Sequence, residues 1–204
     1  GGGIEFSDTS VSDMTRAGLI AQDNTNLNIN FDGQITSDTA NTGLVASPLV
    51  VIDSNSGTSN FSIAEGQPPA GASLTPNLLT DFGGEGIVIS NNTANVTNLL
   101  GNVGLTDATG ASIFVFNDGS TTTVAQDANT GIRRTSIPGA AIDVEDDGSG
   151  TIANPRFNYI GDIANSNEGY LLRVNGNNNR VGAPTPGSIT VSGLTTTSLT
   201  DLSL

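Results

Sequence analysis

The chain has no cysteine, no histidine, no tryptophan and no lysine in its 204 residues, and all six positive charges are arginine. Each absence removes a class of function. Without cysteine there is no disulfide scaffold and no thiolate metal site. Secretion is still open, because a large β-solenoid has core enough to do without disulfides. Without histidine a Ser/His/Asp triad cannot be assembled. Without lysine there is no Gly-rich phosphate loop of the GK[ST] kind. Twenty acids against six arginines give a net charge of −14. A phosphate backbone needs a basic stripe, so nucleic acid is excluded as a partner, and anionic membrane surfaces are disfavoured for the same reason. No apolar run approaches the ~20 residues of a membrane-spanning helix, and the N-terminus carries no signal-peptide pattern. The chain opens GGGIEF without methionine and closes SLTDLSL in strand-like alternation. It is therefore expected to be a piece of a longer protein.

What is present is 35% apolar residues, mostly β-branched or leucine, in short alternating runs broken by Gly, Asn, Asp, Ser and Thr. That is enough apolar surface to argue against disorder, and it suits short strands divided by many turns. No long amphipathic helix is legible; NVTNLLGNVG comes nearest, and its glycines cut it short.

A repeat organises the chain. GASIFVFNDGS at 110–120 and GAAIDVEDDGS at 139–149 share seven of eleven positions. Looser copies are GLIAQDNT at 18–25, GLVASPLV at 43–50, GIVISNNT at 86–93 and GYLLRVNGN at 169–177. Most starts fall 24–30 residues apart, the exception being the 43-residue step that contains 67–84, read as an inserted loop or a degenerate unit. Each unit holds a second strand, marked by Leu27, Ile29 and Phe31, by Phe61 and Ile63, by Val96 and Leu99, by Val124, by Phe157 and Tyr159, and by Ile189 and Val191.

A repeat of this length with two or three short strands and no helix predicts a single all-β domain over 1–204, a right-handed parallel β-helix. Each coil adds one strand to every sheet, about 4.8 Å further along the axis. Inward residues then stack on their equivalents: Ile87, Ile113 and Ile142 in one ladder, Ile89, Val115 and Val144 in another. Turn residues such as Asn91, Asn117 and Asp23 can bond along the axis, and positive φ at turns calls for Gly or Asn. An antiparallel sandwich or barrel is the rival architecture.

The recurring [GA]-ϕ-x-ϕ-x-[ND]-[ND]-[TG] pattern, with runs such as LNINFDGQI, resembles the Asn/Gly/Thr-rich repeats of large bacterial surface proteins. These are the autotransporter passengers, filamentous-haemagglutinin-like adhesins and related β-helix proteins. The resemblance spans about residues 15–180 and implies an extracellular or cell-surface rod, adhesin or matrix element. Both ends of the chain read as strand, so self-association end to end or with further repeats is expected, and surface glycans are candidate partners. It implies no catalytic residues and no cofactor. The motifs of pectin-cleaving β-helices (Asn-Thr-Asp, Gly-His-Gly, Arg-Ile-Lys) are missing, so an enzyme is not expected. A polysaccharide-binding or depolymerising, tailspike-like β-helix is the alternative function, with outward acids such as Asp143 and Asp118 as the pair that coil stacking could bring together.

Three clusters stand out from the repeat. Asp143, Glu145 and Asp147, followed by Gly148, partly match a calcium loop. A strand with an acidic outer face is the plainer reading, and a calcium-stabilised surface module the sharper one. Phe114 and Phe116 replace those acids one unit earlier and, with Ile113 and Val115 inward, point out. A covering loop, a lateral subunit contact or a stacked ligand would each account for them. Arg133 and Arg134 in TGIRRTS read as a solvated turn or as a contact with an acidic edge of another subunit. Sequons at Asn60, Asn91 and Asn95 are of the number that chance provides in so Asn- and Thr-rich a chain.

Overall fold

The computed structural model describes residues 2–11, 17–35, 48–64, 77–80, 85–101, 103–106, 110–125, 131–134, 140–146, 156–165, 170–176 and 188–192. Among these there is no helix, and every pairing between strands is parallel. The chain is all-β with parallel sheets, which removes the antiparallel rival.

A seven-stranded sheet contains β1 (Gly2–Val11), β3 (Leu27–Ile35), β5 (Asn60–Ala64), β8 (Thr97–Leu100), β11 (Thr121–Ala125), β14 (Arg156–Ile160) and β17 (Ser188–Ser192). A six-stranded sheet contains β2 (Leu19–Gln22), β4 (Val50–Asp53), β7 (Ile87–Ser90), β10 (Ile113–Phe116), β13 (Ile142–Asp146) and β16 (Leu172–Gly176). A four-stranded sheet contains β6 (Asn77–Thr80), β9 (Val103–Thr106), β12 (Gly131–Arg134) and β15 (Asp162–Asn165). From β4 to β15 the chain visits the six-, seven- and four-stranded sheets in that order, four times over. One such circuit is called a unit below.

The register explains the repeat. Ile87, Ile113 and Ile142 are direct partners, as are Ile89, Val115 and Val144. All six are buried. The first column extends to Val50, Leu19 and Leu172, the second to Ile52, Ala21 and Val174. In the seven-stranded sheet Ile29, Phe61 and Phe157 occupy one inward column, and Phe31, Ile63, Leu100, Val124 and Tyr159 the next. Burying a side chain of this size contributes roughly 1.5–3 kcal/mol, and stacking like on like keeps the columns close-packed.

Two phases differ from the expectation. The strand equivalent to Leu19–Gln22 is Val50–Asp53 rather than a run starting at Gly43, so successive offsets in this sheet are 31, 37, 26, 29 and 30 residues. In β8 the inward residues are Asn98 and Leu100, and Leu99 is 48% exposed. Asn98 therefore takes an apolar column position between Phe61 and Thr122. Of the segment 67–84, Asn77–Thr80 is a strand paired with β9; 67–76 and 81–84 lie outside the described residues. The segment GIRR is likewise a strand, with Ile132 buried, and not a turn.

The corner after the six-stranded sheet is built from polar side chains. Asp23, Ser54, Asn91 and Asn117, one per unit, all have φ between 47° and 56°. This is the left-handed conformation that short polar residues tolerate best after glycine. The next residue in each unit forms the hydrogen-bonded ladder. Asn24 Nδ2 donates to Asn55 Oδ1 (2.9 Å), Asn55 Nδ2 to Asn92 Oδ1 (3.0 Å), and Asn92 Nδ2 to Asp118 Oδ1 (2.9 Å). Each acceptor oxygen also takes the backbone N–H of the residue below. The amides of Asn55 and Asn92 each donate a second bond, to the carbonyls of Ala21 and Ile52. Asn91, expected to bond along the axis, does so to Asp53, but the continuous ladder is one residue further on.

Candidate functional site

The outer face of the six-stranded sheet carries the residues the sequence singled out. Its first outward column runs Ile20, Val51, Val88, Phe114, Asp143, Arg173, and its second Gln22, Asp53, Ser90, Phe116, Glu145, Asn175. Along the first column the character changes from apolar to aromatic to charged, while the second is polar except at Phe116. Phe114 and Phe116 point outward as expected, are half-buried, and stack on each other with centroids 5.8 Å apart and planes 20° apart.

Asp143 and Glu145 sit one unit beyond the two rings. Both bind Arg173, which the sequence reading had passed over. Arg173 Nε donates to Asp143 Oδ1 (2.9 Å), and its Nη2 donates to Asp143 Oδ2 and to Glu145 Oε1 (2.5 Å). The pair with Asp143 is bidentate, the strong geometry for guanidinium and carboxylate. It leaves Asp143 only 4% exposed although it is on an outward position, and it raises the Arg173 pKa further above its ordinary value. Arg173 is thus the positive charge set against Asp143 and Glu145, two of the three acids of the calcium reading. Asp147 lies outside the described residues, and among the described residues no three carboxylates cluster to hold a metal ion. Arg133 and Arg134 are in β12, away in the four-stranded sheet, in register with Ala164 and Asn165.

A cleft of about 340 Å³ opens beside the ion pair. Its floor comes from the column that precedes each strand. Continuing the register back from Ile87, Ile113, Ile142 and Leu172 places Glu85, Ala111, Ala140 and Tyr170 one above another. The backbone bonds Gly86 N to Ala111 O (3.1 Å) and Ala141 N to Tyr170 O (2.8 Å) carry the ladder through that corner. Two alanines, with Gly110 beside them, leave the recess; Glu85 and Tyr170 close its ends, and Phe114, Asp143, Glu145 and Arg173 form its wall. A reading that counted motifs could not find this column, because it becomes visible only when four units are set in phase.

The second polar centre is internal. Asp118, 2% exposed, accepts from Asn92 through Oδ1 and from Ser120 N (3.1 Å) and Ser120 Oγ (2.6 Å) through Oδ2. Burial pushes its carboxyl above the ordinary range, and the bonds from Ser120 and Asn92 oppose that without overcoming it. Ser120 Oγ and Thr122 Oγ1 accept from Asn98 Nδ2 at 2.9 and 2.8 Å. Asn98 Oδ1 is a buried acceptor without a partner among the described residues. Asp118 does not share a face with Asp143: one closes a buried turn ladder, the other stacks outward beside Phe114. The carboxylate pair imagined for glycoside cleavage is therefore not assembled.

No family model, curated protein or solved structure matches this chain.

Proposed function

We propose that the chain winds as a right-handed parallel β-helix and acts mechanically, as a rod, fibre subunit or matrix element outside a bacterial cell. The observation that carries this reading is the cyclic order in which parallel strands are laid into three sheets, with the same inward columns filled in unit after unit. Right-handedness follows from the strong preference of crossovers between parallel strands of one sheet. Seven strands at about 4.8 Å make a body roughly 30 Å long.

Self-association is part of the proposal. Inward-column residues inside the stack are buried, whereas three in the outermost strands β1 and β16 are open to solvent: Ile4 is 45% exposed, Phe6 38% and Val174 42%. Among the described residues no strand pairs with the outer edges of β1 and β16. Open parallel edges with bare apolar columns are templates for further strands, and another set of such units would satisfy both. Electron microscopy of the concentrated protein tests the idea: filaments or end-to-end rods about 4.8 Å in repeat are expected. A monomer that stays monomeric at high concentration would sink it.

A further inference from the structure

We propose that the cleft on the outer face of the six-stranded sheet is a binding site for a pyranose residue that carries no anionic group. This stands apart from the mechanical role, which needs no ligand.

Shape comes first. From Glu85 to Tyr170 is three strand spacings, about 14 Å at about 4.8 Å each, and the two positions between are alanines. The resulting volume of about 340 Å³ lies in the usual range for small-molecule sites, about 300–1,000 Å³. A ring with short substituents fits such a recess; a folded segment does not.

Chemistry narrows the occupant. Tyr170 is 37% exposed at one end, and Phe114 is held in place by its stack on Phe116. These supply apolar faces. The ion pair fixes the Arg173 guanidinium through Nε and Nη2, and its Nη1 makes no hydrogen bond among the described residues. Nη1 is thus a donor set in place beforehand. Glu85 makes no ion pair among the described residues and supplies an acceptor. Donor and acceptor on one small apolar recess match hydroxyl groups, which need both. Three carboxylates against one guanidinium in the lining repel an anionic sugar.

Saturation-transfer NMR with the methyl glycosides of glucose, galactose and mannose tests the site, with glucuronate as the anionic comparator. Transfer to at least one neutral glycoside is expected. Tyr170→Ala removes an end wall, and Ala111→Phe fills the floor. Each is expected to weaken binding tenfold or more, with the thermal melt unchanged for Tyr170→Ala, whose side chain is partly in solvent. Should Ala111→Phe perturb the fold, Tyr170→Ala alone decides. No transfer from any neutral glycoside overturns the proposal. So does transfer that survives both substitutions, or tighter binding of glucuronate. A dimer that forms through the cleft and is lost in Tyr170→Ala would assign it to a second copy and overturn the proposal equally.

Discussion

Asn92 Nδ2 donates to Asp118 Oδ1 at 2.9 Å, and at Asp118 the ladder of side-chain amides meets a group that accepts but has no N–H to pass on. Below this point Asn55 and Asn92 each receive and donate along the axis, and Asn24 donates. At Asp118 the second oxygen turns to Ser120 instead. The ladder is therefore directional, and its members contribute unequally.

Asn55 has neighbours on both sides. Its side chain accepts from Asn24 and donates to Asn92 and to the Ala21 carbonyl. Asn55→Ala leaves several of these groups buried without partners, at about 1–3 kcal/mol for an orphaned group. Urea unfolding should show a lower midpoint with an unchanged slope. Asn60→Ala, which loses only an exposed bond to Asn28, should fall within about 0.5 kcal/mol of wild type.

Asp118 predicts a pH dependence with a definite sign. Its folded pKa is raised by burial above the ordinary 3.8, so the folded chain holds this proton more tightly than the unfolded one. The stability this contributes is fully present below the unfolded value and is lost as pH rises through the folded one. Asp118→Asn has no such proton. The difference in unfolding free energy, wild type minus Asp118→Asn, should therefore fall as pH rises from below 3.8 toward neutrality. A difference that is flat or rises with pH would refute the assignment.

Arg173 holds two acids at once. Arg173→Gln leaves Asp143 buried without its partner; because the guanidinium side is 45% exposed, the loss should be about 1–3 kcal/mol, below that for a fully buried pair. Asp143→Asn in the same chain should recover part of it, and the double-mutant cycle measures the coupling. Melting each variant in calcium and in chelator adds a second readout. Calcium should raise the melting temperature of Arg173→Gln more than that of wild type, since the guanidinium no longer competes for Asp143 and Glu145.

Gly57 has φ +63°, and a Cβ there would stand 2.3 Å from Asn26 Oδ1. That oxygen is the acceptor for Thr58 N at 2.8 Å. Gly57→Ala combines left-handed strain, about 1–2 kcal/mol, with displacement of this bond. A destabilisation of at least about 1 kcal/mol in chemical unfolding is expected.

The inward columns were legible because their residues are both apolar and repeated: Ile113, Val115, Ile142 and Val144 stand where the alternation puts them. Phase failed where chemistry and position disagree. Leu99 is apolar and faces out, while Asn98 is polar and faces in. The four-stranded sheet was hidden because its strands GIRR and VGLT are four residues long and, with Ile132 and Leu105 turned inward, too short for a periodic signal. The amide ladder was misplaced by one residue because both turn columns are rich in Asn and Asp, and only backbone φ tells them apart. Arg173 escaped notice because its partners are 28 and 30 residues away.

Residue offsets between register partners in the six-stranded sheet vary from 26 to 37, yet the strands stay in step. Strand spacing graduates the long axis, and the count of letters between strands does not. The extra residues fall between the strands and leave their pairing unchanged. Such a chain can take on insertions, and with them new surface chemistry, while its reach is unchanged.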